Sequence, residues 1–113
     1  MPALTVQTNV ADNEITNDFL KQLSAKVAQV LGKPEEYVTV HVSSGQKLLF
    51  SGTNDPAAIM ELTSIGLPMN QTSKITKEIM SLFEKKLNIK ADRMYMKFTN
   101  LANNMMGWNK GTF

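Results

Sequence analysis

The sequence predicts an α+β fold, an α/β two-layer sandwich in which tandem β-α-β units form one four-stranded sheet with two helices on one face. Three observations carry that prediction. Two stretches repeat their apolar residues at the helical period, each is flanked by stretches that alternate at the strand period, and the two halves match in pattern when the chain is shifted by 56 positions. At 113 residues the chain has the length of a single domain, 1–113, with two pseudo-repeats of about 1–56 and 57–113.

The first strand lies in "MPALTVQTN". Its proline has no N–H to give to a sheet ladder, so the plain reading of Pro2 is a residue that starts a strand. A second reading is chemical: loss of Met1 would leave Pro2 as a free secondary amine, a general base or nucleophile. Next, Phe19, Leu20, Leu23, Val27, Val30 and Leu31 form one apolar helix face. Thr16 or Asn17 caps its start, Gly32 supplies its left-handed end and Pro34 forbids continuation. Residues 37–42 alternate, with Val38, Val40 and Val42 on one face, and predict a half-buried strand. "SSGQ" then reads as a turn and "KLLFSG" as a short partner strand.

The second half repeats this order. An "NDP" turn at 54–56 precedes a strand over 57–65, a helical period follows through Ile75, Ile79, Phe83 and Leu87, and "RMYMKFT" closes as a strand. Under the shift Leu4 and Val6 fall on Met60 and Leu62, and Phe19, Leu23, Val27 and Leu31 fall on Ile75, Ile79, Phe83 and Leu87. Right-handed crossovers set both helices on one side of the sheet. Apolar residues on the uncovered side, with Ala57 and Ile59 opposite Ala58, Met60 and Leu62, imply a further layer and hence a homo-oligomer.

Composition narrows the function. Apolar residues make up 42% and charged residues 19% of the chain, as in ordinary globular proteins. A net charge of +2, with lysines spread among acids, predicts no nucleic-acid partner. The absence of cysteine excludes disulfides, thiolate metal sites and cysteine nucleophiles, and a single histidine excludes a multi-histidine metal centre. No cofactor is called for. No stretch approaches the roughly eighteen apolar residues of a membrane span, and no secretory signal is visible, so a cytoplasmic protein with no membrane partner is expected.

Several short motifs, in order along the whole chain, resemble the macrophage migration inhibitory factor family of the tautomerase superfamily. They are "MP", "TN" at 8–9, "GKP" at 32–34 with Tyr37 and "VHV" at 40–42, "SIG" at 64–66, "DR" at 92–93 with Tyr95, "GWN" at 107–109 and the terminal "TF". The resemblance implies a homotrimer whose sheets form a central barrel wrapped by six helices, with active sites at the subunit interfaces. It also implies a keto-enol tautomerase acting on a small aromatic α-keto acid of the phenylpyruvate type, with dopachrome-like compounds as a secondary substrate class.

Under that resemblance Pro2 is the catalytic base once Met1 is gone, and Lys33 and Tyr95 complete the catalytic set, Tyr95 reaching in from a neighbouring subunit. Physical chemistry supports the first pairing. An ordinary α-amino group titrates at about pH 8 and is mostly protonated at neutrality, whereas burial and a nearby lysine both lower that value. Lys33, the backbone N–H of Ile65 and the adjacent Ser64 would surround the substrate oxygens. Tyr37, Met106, Trp108 and Phe113 would wall the pocket with apolar surface. Each residue also has a plainer role. Lys33 suits a helix C-terminus, His41 a sheet face, and Tyr95 and Trp108 ordinary packing.

Departures from the family pattern bear on substrate and activity. Lys97 stands where the best-known member has asparagine, which adds a positive charge and favours a carboxylate-bearing substrate. Thr63 replaces a pocket histidine and 67–71 is one residue shorter than its counterpart. A Cys-x-x-Cys motif found in cytokine-type members is Ala57, Ala58, Ile59 and Met60 here, so thiol oxidoreductase activity is not expected. A cytokine-like binding or signalling role with a vestigial pocket is the alternative of a different class, and a superfamily hydratase or dehalogenase activity is a third.

Overall fold

Alternation along β1 (Pro2–Thr8) sends Pro2, Leu4, Val6 and Thr8 inward and leaves Thr5 and Gln7 in solvent, the signature of a strand covered on one face. The computed structural model describes residues 1–113. Its main sheet runs β2 (Thr39–Ser43), β1, β3 (Ala58–Ile65), β4 (Met94–Leu101) from edge to edge. β1 is parallel to β2 and β3 parallel to β4, whereas the central strands β1 and β3 are antiparallel. Leu4 lies opposite Leu62 and Val6 opposite Met60, so the two β-α-β units meet head to tail at the centre of the sheet.

Each parallel pair is bridged by one helix, α1 (Asn17–Leu31) or α2 (Thr72–Leu87). Thr16 is the cap of α1: its hydroxyl accepts the Phe19 N–H at 3.1 Å. At the other end Gly32 takes a left-handed φ of 62°, and the N–H groups of Gly32 and Lys33 donate to the carbonyls of Gln29 and Ala28. The helices bury Phe19, Leu23 and Val27, and Ile75, Ile79, Phe83 and Leu87, against Leu4, Val6, Met60 and Leu62 of the sheet. Burial of each such side chain stabilises the fold by about 1.5–3 kcal/mol. The rings of Phe19 and Phe83 meet edge to face at 5.3 Å between the helices.

Three sequence expectations need correction. The "KLLFSG" segment is not a sheet strand; it makes only an isolated bridge between Phe50 and Thr53 around a tight turn. The Gln46 N–H donates to the Thr8 carbonyl and the Asn9 amide reaches the Leu48 carbonyl, so the segment is drawn across the end of the sheet and not alongside β2. The strand expected over 37–42 begins at Thr39, because Glu35–Tyr37 forms a 3-10 turn after Pro34. The uncovered sheet face is also more polar than expected. Leu4, Val6, Ala58, Met60 and Leu62 all turn toward the helices, and Thr5, Gln7, His41 and Glu61 occupy the open side with Ile59 and Tyr95. A short C-terminal hairpin, β5 (Gly107–Trp108) and β6 (Gly111–Thr112), was not foreseen.

Candidate active site

The site forms where β1 begins. Pro2 occupies the first position of the strand, where its missing N–H leaves no gap in the ladder, and lies opposite the buried Ser64 of β3. Lys33 is the residue by which the chain leaves α1. With its backbone fixed by the helix-ending turn, its ammonium donates to the Ile65 carbonyl at 2.7 Å. The Ser64 hydroxyl also donates to that carbonyl, at 3.4 Å. Immediately after it, Gly66 takes a φ of 65° and the Leu67 N–H is held by the Asn100 side chain at 3.0 Å. Pro2, Lys33, Ser64 and Ile65 thus lie together at one end of the sheet.

Beside them opens a recess of about 430 Å³ whose lining includes Met1, Ala3, Glu36, Tyr37, Val38 and Thr39 from the first unit. Met106, Gly107, Trp108 and Phe113 close it from the C-terminal segment. Three rings form its wall. Trp108 and Phe113 stack at 5.4 Å with 20° between their planes, and Tyr37 meets Trp108 at 5.6 Å and Phe113 at 5.8 Å, edge to face in both cases. The Phe113 N–H donates to the Met106 carbonyl at 3.2 Å, which fastens the chain end over the recess. Glu36, Ala3 and Thr39 were missed from sequence, although Glu36 precedes Tyr37 in the same 3-10 turn and could have been placed with it.

Electrostatics at this end favour a neutral amine. The amino group of Met1 is held below the ordinary α-amino value, first by partial burial and second by the charge of Lys33. No set of acidic or histidine side chains converges to hold a metal ion, and no helix is long and apolar enough to cross a membrane.

Tyr95 and Lys97 lie elsewhere in the protomer. Asn100 is in register with Ser64, so Tyr95 sits five residues up β4 from the Pro2 end, a separation of about 16 Å along the strand and about 10 Å across two strand spacings. A tyrosine side chain does not span that distance within one protomer. Tyr95 is 67% exposed and its ring packs on Phe50 at 4.8 Å. Lys97 faces Glu61 across the β3–β4 pair at 3.9 Å, and the Glu61 carboxylate also accepts the Thr99 hydroxyl at 2.7 Å. Lys97 and Glu61 border a second recess of about 380 Å³ on the open face, with Thr5, Gln7 and His41 on its other side.

Fold and recess together define a class: small α+β proteins made of paired β-α-β units that keep a ligand-sized cavity at the start of the first central strand. Within that class the chain belongs to the macrophage migration inhibitory factor (MIF) family, whose model matches residues 1–113. The family lies in the tautomerase superfamily, and its members are generally oligomeric. A macrophage migration inhibitory factor homolog of Brugia malayi is 40% identical, with 100% of this chain and 99% of that protein aligned. The macrophage migration inhibitory factor of Mus musculus is 39% identical over 100% of this chain and 99% of its own. Among solved structures, the macrophage migration inhibitory factor from Trichinella spiralis superposes with a TM-score of 0.94 at 37% identity, covering 98% of this chain and 99% of its own. A homologue from Prochlorococcus marinus gives 0.90 at 34% identity, covering 98% of each chain.

Proposed function

We propose that the protein is a keto-enol tautomerase for phenylpyruvate-type α-keto acids, with Pro2 as general base after removal of Met1. The carrying observation is the convergence of the chain's amino end, the Lys33 ammonium and an aromatic-walled recess at one end of the sheet. In the reaction the neutral Pro2 nitrogen accepts a proton from the carbon beside the keto group. The electron pair of that C–H bond becomes the new carbon–carbon double bond, and negative charge moves onto the keto oxygen, which is then protonated to give the enol.

Lys33 suits the second half of this step. An ammonium has three donors; one is bonded to the Ile65 carbonyl, which aims the head group and leaves two for the substrate's carboxylate and developing enolate. Tyr37, Trp108 and Phe113 receive the substrate ring, and Met106 completes the apolar wall. In the proposed homotrimer Tyr95 enters this recess from a neighbouring copy, which accommodates its distance from Pro2 of its own chain. Lys97, on the same edge strand, comes with it and favours anionic substrates.

Intact mass establishes whether Met1 is present, and a spectroscopic phenylpyruvate assay on the processed protein and on Pro2→Gly tests the base. Turnover by the processed protein and a loss of at least about a hundredfold in the variant are expected. Equal rates in the two proteins overturn the assignment.

A further inference from the structure

We infer that Arg93 and Phe50 act as positioning residues for Tyr95, and that they set the geometry with which Tyr95 enters the neighbouring copy's recess; this rests on the tautomerase reading above. Tyr95 projects from β4, an edge strand, and is 67% exposed. The one ring it packs against is Phe50, with centroids 4.8 Å apart and planes tilted by 47°. An exposed tyrosine without such a neighbour would sample several rotamers, so the position of Phe50 governs that of Tyr95.

Phe50 is itself unusually well held for a loop residue. Ser51 and Gly52 take φ values of 56° and 77°, and Phe50 and Thr53 exchange both backbone hydrogen bonds around them, at 3.0 and 3.2 Å. Arg93 then fastens the whole loop. Its guanidinium donates to the carbonyls of Phe50, Thr53, Asp55 and Pro56 at 2.9–3.3 Å, and it lies over the Phe50 ring at 5.4 Å. Four carbonyls met by one planar fork suit arginine and not lysine, whose point charge cannot satisfy them together. Arg93 also sits immediately before β4, two residues from Tyr95, so a single side chain ties the loop that carries Phe50 to the strand that carries Tyr95.

The test uses the full chain labelled with 3-fluorotyrosine. It contains two tyrosines, and Tyr37→Phe assigns the Tyr95 resonance. Phe50→Leu and Arg93→Lys are expected to move that ¹⁹F signal toward its unfolded-state shift. In the phenylpyruvate assay both should raise KM about two- to tenfold, the equivalent of one aromatic pair, with a smaller change in kcat. In a Tyr95→Ala background Phe50→Leu should add no further rise in KM, the coupling expected of a residue that acts through another. An unmoved Tyr95 signal, or full additivity in the double variant, overturns the inference even with an active enzyme. Absence of any turnover by the processed wild type refutes the tautomerase reading separately, and the ¹⁹F measurement still decides whether Phe50 and Arg93 hold Tyr95.

Discussion

Truncating Phe113 to alanine probes the aromatic wall without touching the core. Of the three ring contacts among Tyr37, Trp108 and Phe113, the substitution removes the two made by Phe113, at 5.4 and 5.8 Å, and leaves the Tyr37–Trp108 contact at 5.6 Å. At about 0.5–1.5 kcal/mol per pair the loss is about 1–3 kcal/mol, equivalent to about a 5- to 140-fold fall in the ratio of docked to undocked C-terminal hairpin. Trp108 is the only tryptophan and already 52% exposed, so its fluorescence reports the hairpin directly. A red-shifted emission and stronger acrylamide quenching are expected, together with a raised KM for an aromatic keto acid. The thermal midpoint should change little, because none of the affected rings belongs to the buried cluster. Unchanged emission and quenching would refute the reasoning and show that the β5–β6 ladder and the Phe113–Met106 backbone bond hold the hairpin without the rings.

Four further outcomes follow from the structure. The Met1 amino group is held below its ordinary value by burial and by the charge of Lys33; in the processed protein the same two causes are expected to act on the Pro2 amine, so kcat/KM should climb with pH and level off before the ordinary α-amino value is reached, and Lys33→Met should displace the rise to higher pH, only part of the way because burial remains, and lower the plateau in a pH–rate profile. In the Met1-bearing protein the Met1 shift costs fold stability in full below the lowered value and not at all above the ordinary one, so its denaturant midpoints should rise across that interval. Lys97→Asn should lower the ratio of keto-acid to keto-ester turnover several-fold, and an unchanged ratio would sink the role given to its charge; Glu61→Gln, which removes the carboxylate 3.9 Å away, should raise the ratio. Phe83→Ala, at a fully buried ring, should cost about 3–5 kcal/mol in urea titration with an unchanged m value, and a loss under about 1 kcal/mol would show that the helix interface repacks.

The parts of the fold that were legible in the sequence are those in which one physical period dominates. Phe19, Leu23 and Val27, and Ile75, Ile79, Phe83 and Leu87, appear at helical spacing and are buried as that spacing demands. Thr16 and Gly32 mark their helix by cap chemistry that depends on neighbours in sequence. The "KLLFSG" stretch, 47–52, is not a strand because the conformation of its loop is imposed from afar, by Thr8, Asn9 and Arg93. The hairpin escaped notice because its turn residues, Asn109 and Lys110 at φ 53° and 67°, include a lysine where glycine is the usual signal. The open face is more polar than Ala57 and Ile59 suggest because the alternation of β1, β2 and β3 brings Thr5, Gln7, His41 and Glu61 onto it. In the candidate site Pro2 and Lys33 gained their interest from the family resemblance; physics alone would have left one as a strand start and the other as a helix-end lysine.

The internal repeat explains why the proposed chemistry sits at only one end of a nearly symmetric scaffold. Shifting the first unit onto the second carries Pro2 to Ala58, Lys33 to Ile89 and Tyr37 to Arg93, and carries Thr8 to Ser64. The register is equivalent at both ends, Pro2 facing Ser64 and Ala58 facing Thr8. At the first end the residue two places after the helix is a lysine bonded to the Ile65 carbonyl; at the second it is Ile89, fully buried. There Thr8 donates to the Ala57 carbonyl at 2.7 Å, Asn9 accepts the Ala57 N–H at 2.9 Å, and Arg93 gathers the loop carbonyls. Polar groups at the second end are therefore consumed in closing the junction between the units, whereas at the first end the Lys33 ammonium, with one of its three donors on the Ile65 carbonyl, keeps two beside the chain's amino end. Tyr95 belongs to the closed end and is held there by Phe50. A head-to-tail assembly sets the closed end of one copy against the open end of the next, so the rigidity accumulated at the closed end would serve the recess of a neighbour and not that of its own chain.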